Sequence, residues 1–320
     1  MKKYDITVVL PGIKPEGWSE IYNSVVESVG NHSFEFIGIG PYTPEDKLLQ
    51  KDNFVFLKDF GHPSRCLQHA TTIAKGKFMT WGSEDGIFQP EALSNCIKLL
   101  QEKNREDGIT IRYFEQDIHN DAPQPNQEKL WNAHYHRDLQ LPGVAVDYKI
   151  ANIAMYYLDY YKEVGGIDCR FEHVNMNCND LAFRIQAAGG KIYPSPDIVI
   201  KQTNISTKNE SVHRLPIGMT IKKTPKEGLP AIERAYHEND YPLFYDIYSK
   251  PGAAHERIKI DYDNWKFASE VWERRFTNVD IITAELSQVK ISLKNSLKEL
   301  TYKGLLSDVE CDKIIQNLMS

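Results

Sequence analysis

The stretch from Gly61 to Leu93 constrains the fold of this chain more than any other part of the sequence. Its apolar residues recur first at helical spacing and then in a short unbroken run, Phe78 to Trp81, which is typical of a buried strand. A second helical stripe follows Pro90, a residue that the first turn of a helix accepts. This order places the acidic turn 83–85 at the carboxyl end of a strand, where open α/β sheets bind ligands.

The same alternation of strand and helix runs through the rest of the first half of the chain. Further strands are predicted at Ile6 to Leu10, Phe34 to Ile39, Phe54 to Leu57 and Ile109 to Phe114. Residues 153–164 are rich in aromatic side chains and predict a helix, which Gly165-Gly166 ends. Strands and helices that alternate at this length favour a parallel sheet covered on both faces, so the predicted fold class is α/β.

Composition and charge exclude several classes of partner. The 320 residues include 38 Lys and Arg against 44 Asp and Glu, and the net charge of −6 argues against nucleic acid or an anionic membrane as the main partner. No run of eighteen apolar residues is present, so no membrane span is predicted. The short apolar run that meets Pro11 is a first strand rather than a signal peptide, and the five widely spaced cysteines indicate reduced thiols. These features predict a cytoplasmic protein.

Motifs in the central stretch resemble those of the family 2 glycosyltransferases. The chain has G-x-P-S, then A-x-x-x-A-K-G-K-F, then S-E-D with Pro-x-x-Leu beyond it. In that family an Asp-x-Asp motif holds a divalent cation on the diphosphate of a sugar nucleotide. In register, Ser83 stands at the first Asp position, Asp85 at the last, and Gln68 at the place of a frequent Asn. The resemblance implies Mg²⁺ or Mn²⁺ as cofactor, with Asp85 as a direct ligand and Ser83 or Glu84 acting through water.

On an extended segment successive side chains point opposite ways, so Ser83 and Asp85 are expected on one side and Glu84 on the other. A plain turn at Asp85-Gly86 is the alternative for this stretch. The resemblance also places a nucleotide over Pro11-Gly12. Relatives usually carry an Asp pair after the second strand that contacts the base, whereas this chain has Gly40-Pro41 there, so the resemblance does not fix which nucleotide is bound.

A second block resembles the acceptor side of the same family. It begins with Y-K-E-V-G-G-I-D-x-R-F, and residues 179–184 then match the family's E-D-x-D-L-x-x-R region, with Asn179 in place of the Glu. The resemblance implies that Asp180 is the general base of an inverting transfer. Capping of a helix is the alternative, and compatible, role for Asp180. Arg184 either holds this base or a phosphate oxygen, or forms an ordinary ion pair.

Little of the sequence beyond residue 202 resembles the family. In many enzymes of this fold a segment at 203–230 folds over the diphosphate, and His213 is the candidate to complete the metal shell there; a solvated loop is the alternative. His134 and His136 form a weaker candidate metal pair in the polar segment 115–146. Apolar residues from Ile281 to Leu300 predict a long amphipathic helix, which packs on its own domain or joins subunits of a homo-oligomer.

The sequence therefore predicts an inverting glycosyltransferase of the GT-A type, with a Rossmann-like domain over residues 1–202 and a mainly helical C-terminal extension over 203–320. Its substrates would be a nucleoside-diphosphate sugar donor and a glycan or other hydroxyl acceptor. Predicted contacts to the nucleotide sugar are Pro11, Gly12, Gln68, Ser83, Glu84, Asp85 and Arg184, and the predicted metal ligands are Asp85 and His213.

Two other functions are consistent with parts of the sequence. A catalytically degenerate relative would keep the fold as a nucleotide-sugar or glycan binding module. A nucleotidyltransferase would also use carboxylate-bound metal, but it normally has a glycine-rich phosphate loop after the first strand. The sequence PGIKPEGW is a poor match to such a loop.

Overall fold

A computed structural model describes most of the first 266 residues. The described residues are 3–12, 14–40, 42–59, 61–114, 143–172, 174–202, 239–266, 307, 310, 313 and 314. The chain divides into two compact units, the first formed by Met1–Glu210 with Ile232–Val271 and the second by Ser211–Ala231 with Trp272–Ser320. His134, His136, His213 and the helix predicted from Ile281 to Leu300 lie outside the described residues, so these predictions stay open.

In the described part of the chain, eight strands form one mixed sheet. They are β1 (Tyr4–Pro11), β2 (Phe34–Gly40), β3 (Phe54–Lys58), β4 (Gly76–Trp81), β5 (Gly86–Phe88), β6 (Gly108–Phe114), β7 (Ala154–Tyr157) and β8 (Ile192–Gln202). Their order is β3-β2-β1-β4-β7-β6-β8-β5. The first four are parallel, as predicted, whereas β7 is antiparallel to both neighbours and β5 is antiparallel to β8. The α/β, Rossmann-like fold class is confirmed and is consistent with the GT-A type.

Helices connect the strands and cover the sheet. They are α1 (Trp18–Val29), α2 (Asp46–Leu49), α3 (Pro63–Ile73), α4 (Ala92–Gln101), α5 (Leu158–Glu163), α6 (Val174–Ala187), α7 (Tyr241–Tyr248) and α8 (Ala253–Glu256), with 3₁₀ turns at Pro15–Gly17 and Tyr262–Lys266. Helix α3 begins at a proline, which supplies no backbone N–H and suits the first turn. None of the helices in these described ranges combines the length and the apolar character of a membrane span.

The helix predicted over residues 153–164 is wrong in its first half. Ala154–Tyr157 is strand β7, which lies between β4 and β6, and only Leu158–Glu163 is helical. Met155 and Tyr156 are fully buried. A strand buried on both faces is a continuous apolar run, and periodicity alone does not distinguish it from a buried helix. The short strand β5, directly after the acidic turn, was also missed.

Two apolar cores stabilise the first unit. The larger one lies between the sheet and the helices around it, and α1 contributes its buried stripe of Trp18, Ile21, Val25 and Val29. The smaller one joins α6 to α7 and α8 through Phe183, Phe244 and Tyr248. Residues 239–266 therefore pack with the α/β unit, although the sequence assigned them to the extension; the boundary at residue 202 itself stays a prediction.

The strand order reverses once beside β1. The chain runs outward from β1 to β2 and β3 and then returns to β4 on the other side of β1. Because the order reverses between β1 and β4, their carboxyl ends flank the topological switch point at which open α/β sheets bind ligands. Pro11 ends β1 and Gly12 follows it, and the acidic turn 83–85 follows β4, so the structure brings these predicted site residues together.

Candidate functional site

Glu84 bridges the loops that follow β1 and β4. Its Oε1 accepts the backbone N–H of Lys14 at 2.6 Å and the indole Nε1–H of Trp18 at 2.9 Å. A Cβ on Gly12 would overlap the Glu84 carboxylate. Glu84 therefore covers Gly12 and holds the β1 loop at the start of α1.

Gly40 ends strand β2 beneath the same loop. The N–H of Gly12 donates to the carbonyl of Ile39 at 2.9 Å, and a Cβ on Gly40 would overlap the Gly12 carbonyl oxygen. The β1 loop thus lies on the end of β2 and leaves no room for a side chain at residue 40. The Asp that the family resemblance implies after β2 would therefore not fit at residue 40.

Asp85 is half-buried, and its two oxygens have different surroundings. Oδ1 accepts the Ser83 hydroxyl and the Tyr113 hydroxyl, the latter at 2.9 Å. Among the residues that the structure describes, Oδ2 has one long contact, 3.5 Å from Gln202 Nε2. Ser83 and Asp85 share a side and Glu84 turns away from them, as the alternation predicts.

Tyr113 and Gln202 were not predicted as site residues, because the sequence carried no local signal for them. They reach Asp85 from the ends of β6 and β8. The pairing of Gly86 with Gln202 brings β8 beside the acidic turn. That contact joins residues 116 positions apart, which no motif or short-range period reports.

The acidic turn suits a cation that takes most of its ligands from elsewhere. Asp85 supplies one carboxylate, and among the described residues no group of three His, Cys, Asp or Glu side chains is arranged to hold a metal. Mg²⁺ is commonly bound by one or two carboxylates, with phosphate and water oxygens completing the shell. The side chains at 83–85 fit such a shared site and do not form a complete protein cage.

Asp180 lies in a different environment from the one predicted for a general base. It is fully buried, Oδ2 accepts a hydrogen bond from Arg184 Nε at 2.9 Å, and Oδ1 accepts one from the Tyr248 hydroxyl at 2.6 Å. Oδ1 also forms an ion pair with Arg257, 2.8 Å from its Nη2. A general base needs an oxygen that a substrate hydroxyl can reach. The base role stays a prediction. The capping alternative is wrong, because Asp180 lies in the interior of α6 and not at its start. The geometry instead favours a structural role in a buried ion-pair cluster.

Arg184 is also buried and is committed to the protein interior. Besides Asp180, its guanidinium donates to the carbonyls of Val164, at 2.7 Å, and Gly166. It therefore fixes the Gly165-Gly166 turn, where both residues have positive φ, 90° and 63°. The ion pair that sequence spacing predicted is present, but it is buried and does not leave the guanidinium available for a phosphate oxygen.

Asp168 extends this buried charge cluster. Its Oδ2 accepts Arg170 Nη2 at 2.7 Å and Arg257 Nη2 at 2.8 Å. Burial raises the pKa of the Asp168 carboxyl, but the hydrogen bonds and charges of Arg170 and Arg257 outweigh burial and hold its pKa at about 2. Arg257 therefore joins Asp168 to Asp180 and links the segment after α8 to the middle of α6.

Gln68 is fully buried and has no hydrogen-bonding group left for a ligand. Its Nε2 donates to the carbonyls of Gly165, at 2.9 Å, and Tyr262, at 2.8 Å. Its Oε1 accepts the Tyr161 hydroxyl at 2.7 Å and the Ile167 N–H at 2.9 Å. A side-chain amide has two donors and two acceptor positions, so these four bonds, the Gln68 network, use all of them. The geometry does not support its predicted contact with a nucleotide sugar.

Comparison with known proteins finds similarity among solved structures. No protein-family model matches the chain, and no curated protein matches its sequence. Solved structures of S. aureus TarS are similar, at 13% sequence identity in each case. One covers 62% of this chain with a TM-score of 0.45, and this chain spans only 36% of that TarS chain. For TarS 1-349 the shares are 84% and 91% with a TM-score of 0.42, and for TarS 1-349 in complex with UDP they are 72% and 68% with 0.45.

Proposed function

We propose that this protein is a glycosyltransferase that moves a sugar from a nucleoside-diphosphate donor to a hydroxyl acceptor. The observation that carries the proposal is the position of Ser83 and Asp85, half-buried at the carboxyl edge of the sheet beside the switch point between β1 and β4. This is where open α/β sheets bind nucleotides. The family resemblance of the motifs on both sides of this turn supports the same function.

Asp85 would hold a Mg²⁺ or Mn²⁺ ion through Oδ2, the oxygen with the single long contact. When bound, such an ion would neutralise charge on the departing diphosphate. Ser83 orients Asp85 through its hydroxyl, and Glu84 keeps the β1 loop against the end of β2. His213 remains a proposed further ligand, outside the described residues.

The structure gives less support to the proposed base, Asp180, than to the proposed cation site at Asp85. For Asp180 to act as the base of an inverting transfer, Tyr248 and Arg257 would have to leave its Oδ1. Both belong to the described segment 239–266, which packs against α6. Inversion therefore requires either a displacement of this segment or a different base.

A nucleotide-sugar or glycan binding module is the second candidate function. Two observations favour it: Asp180 is enclosed, and a hydroxyl replaces one carboxylate of the metal motif at Ser83. Such a protein would bind nucleoside diphosphates with Mn²⁺ and leave the donor sugar untouched. Both functions predict binding of the nucleoside diphosphate, but only the glycosyltransferase also predicts transfer of the donor sugar.

The test is calorimetric titration of a nucleoside-diphosphate panel with and without Mn²⁺, followed by assays for sugar release and transfer from the matching donor. We expect Mn²⁺-dependent binding in the wild-type protein and its loss in Asp85→Ala. Asp52→Ala is the matched control, because Asp52 is an exposed aspartate in the turn before β3. Equal binding by wild type and Asp85→Ala would remove Asp85 from the site, and binding without turnover would favour the module.

A further inference from the structure

We infer that Tyr113 is a positioning residue of the candidate cation site. Its hydroxyl holds Oδ1 of Asp85, so that Oδ2 is the oxygen presented to a cation. The inference rests on the proposed function, since it concerns the residue proposed to hold the metal ion. It assigns a role to a side chain that neither motif contains.

The side chain of Tyr113 is built into the sheet beside the acidic turn. Tyr113 is the penultimate residue of β6 and is 6% exposed. A Cβ on Gly86 would lie 3.1 Å from the Tyr113 ring and would overlap the side chain of Ile200. The absence of a side chain at residue 86 therefore lets the phenol approach Asp85 from below the turn.

The hydrogen bonds of Asp85 determine which oxygen is available. Oδ1 accepts two hydroxyl donors, Ser83 and Tyr113, and a carboxylate oxygen has about two lone-pair directions. Within the described residues Oδ2 has only the 3.5 Å contact from Gln202, which is longer than an ordinary N–H···O bond. A cation would therefore bind Asp85 through one oxygen, and Ser83 would act by orienting the carboxylate rather than by contacting the ion.

The donors to Asp85 are neutral, and this suits a metal ligand. Neither a phenol nor a serine hydroxyl cancels the charge of the carboxylate, which remains available to attract a cation. A carboxylate that ligates a metal is commonly fixed by hydrogen bonds of this kind, and loss of such a partner typically costs about 10-fold to 100-fold in metal affinity.

The test compares Tyr113→Phe with wild type in Mn²⁺ binding, measured by electron paramagnetic resonance with and without the tightest-binding nucleoside diphosphate. We expect at least about a tenfold weaker Mn²⁺ affinity in Tyr113→Phe. Metal-free affinity for the nucleotide and the melting temperature should remain those of wild type, which a general structural role would not predict. Ser83→Ala removes the other donor to Oδ1 and should weaken Mn²⁺ binding in the same direction.

Tyr22→Phe is the matched control. Tyr22 is also 6% exposed, and its hydroxyl donates to Asn53 Oδ1 at 2.7 Å, away from the acidic turn. This variant should bind Mn²⁺ as wild type does. The inference would be overturned if Tyr113→Phe binds Mn²⁺ as wild type does while Asp85→Ala has lost Mn²⁺ binding. The proposed function would remain in that case. If wild type shows no Mn²⁺-linked nucleotide binding, the inference and the proposed metal-assisted function both fail. If Asp85→Ala retains that binding, the inference fails and Asp85 is removed from the proposed site.

Discussion

Asp85 and Asp180 come from the two motif blocks of the same resemblance, yet their surroundings are opposite. Asp85 is half-buried, accepts hydroxyl donors, and has one oxygen with a single long contact. Asp180 is fully buried between Arg184 and Arg257. The comparison shows that the neighbours of a carboxylate decide its use: neutral donors leave its charge available, whereas buried guanidinium groups neutralise it.

The same difference separates the remaining motif residues. Ser83 and Glu84 lie with Asp85 at the carboxyl edge of the sheet, next to Gly12. Gln68 and Arg184 instead hold the Gly165-Gly166 turn through buried bonds, and the buried Asp168 pairs with Arg257. The first set lies at the edge where we propose that a ligand binds, and the second forms bonds within the protein.

Asp180→Asn gives the largest expected effect. A neutral amide would leave Arg184 and Arg257 without the shared carboxylate, and breaking a buried ion pair costs about 3–5 kcal/mol in the free energy of unfolding. Urea denaturation measures this loss. Asp85→Asn is the control and should change the free energy of unfolding by less than about 1 kcal/mol, because Asp85 is half-exposed. Wild-type stability of Asp180→Asn with loss of sugar transfer would break the comparison and support the base role.

The second-largest expected effect is a loss of stability at acidic pH. The pKa of Asp168 is held at about 2, below its ordinary value of 3.8, so folding gains from its ionised form. This contribution, about 2 kcal/mol, is complete above the ordinary value and is lost as the pH falls towards the folded-state pKa. The free energy of unfolding of wild type should therefore decline between about pH 4 and pH 2, and Asp168→Asn should lack that part of the decline. Identical pH profiles would contradict the assignment.

Glu84→Gln gives the smallest expected change in stability. The amide oxygen can still accept the N–H groups of Lys14 and Trp18, so the free energy of unfolding should change by less than about 1 kcal/mol. Removal of the negative charge beside Gly12 should strengthen nucleoside-diphosphate binding by about twofold to fivefold, since the ligand is an anion. Calorimetric titration measures whether the nucleoside-diphosphate affinity rises or falls. Weaker binding would instead make Glu84 a ligand of the donor or of its cation.

The sequence predicts the features that depend on neighbouring residues. The four parallel strands and the position of the acidic turn follow from apolar runs and from the proline and glycine residues that end them. Strand β7 did not follow, because its burial on both faces removes the period that distinguishes strand from helix. The partners of the predicted site residues did not follow either: Tyr113 and Gln202 at Asp85, and Tyr248 and Arg257 at Asp180, are brought in by contacts between distant segments.

The Gln68 network has a consequence for how the chain acquires its native state. Gly165 lies 97 positions after Gln68 in the sequence, and Tyr262 lies 194 positions after it. Closing a loop of this length costs entropy before the contact can form, and contacts of this kind slow folding. Tyr262 also leaves the ribosome long after α3 does. In a nascent chain the Gln68 amide therefore lacks its hydrogen bond to the Tyr262 carbonyl until most of the first unit has been synthesised. A fragment that ends at residue 202 lacks this last partner and is a poor choice for recombinant expression.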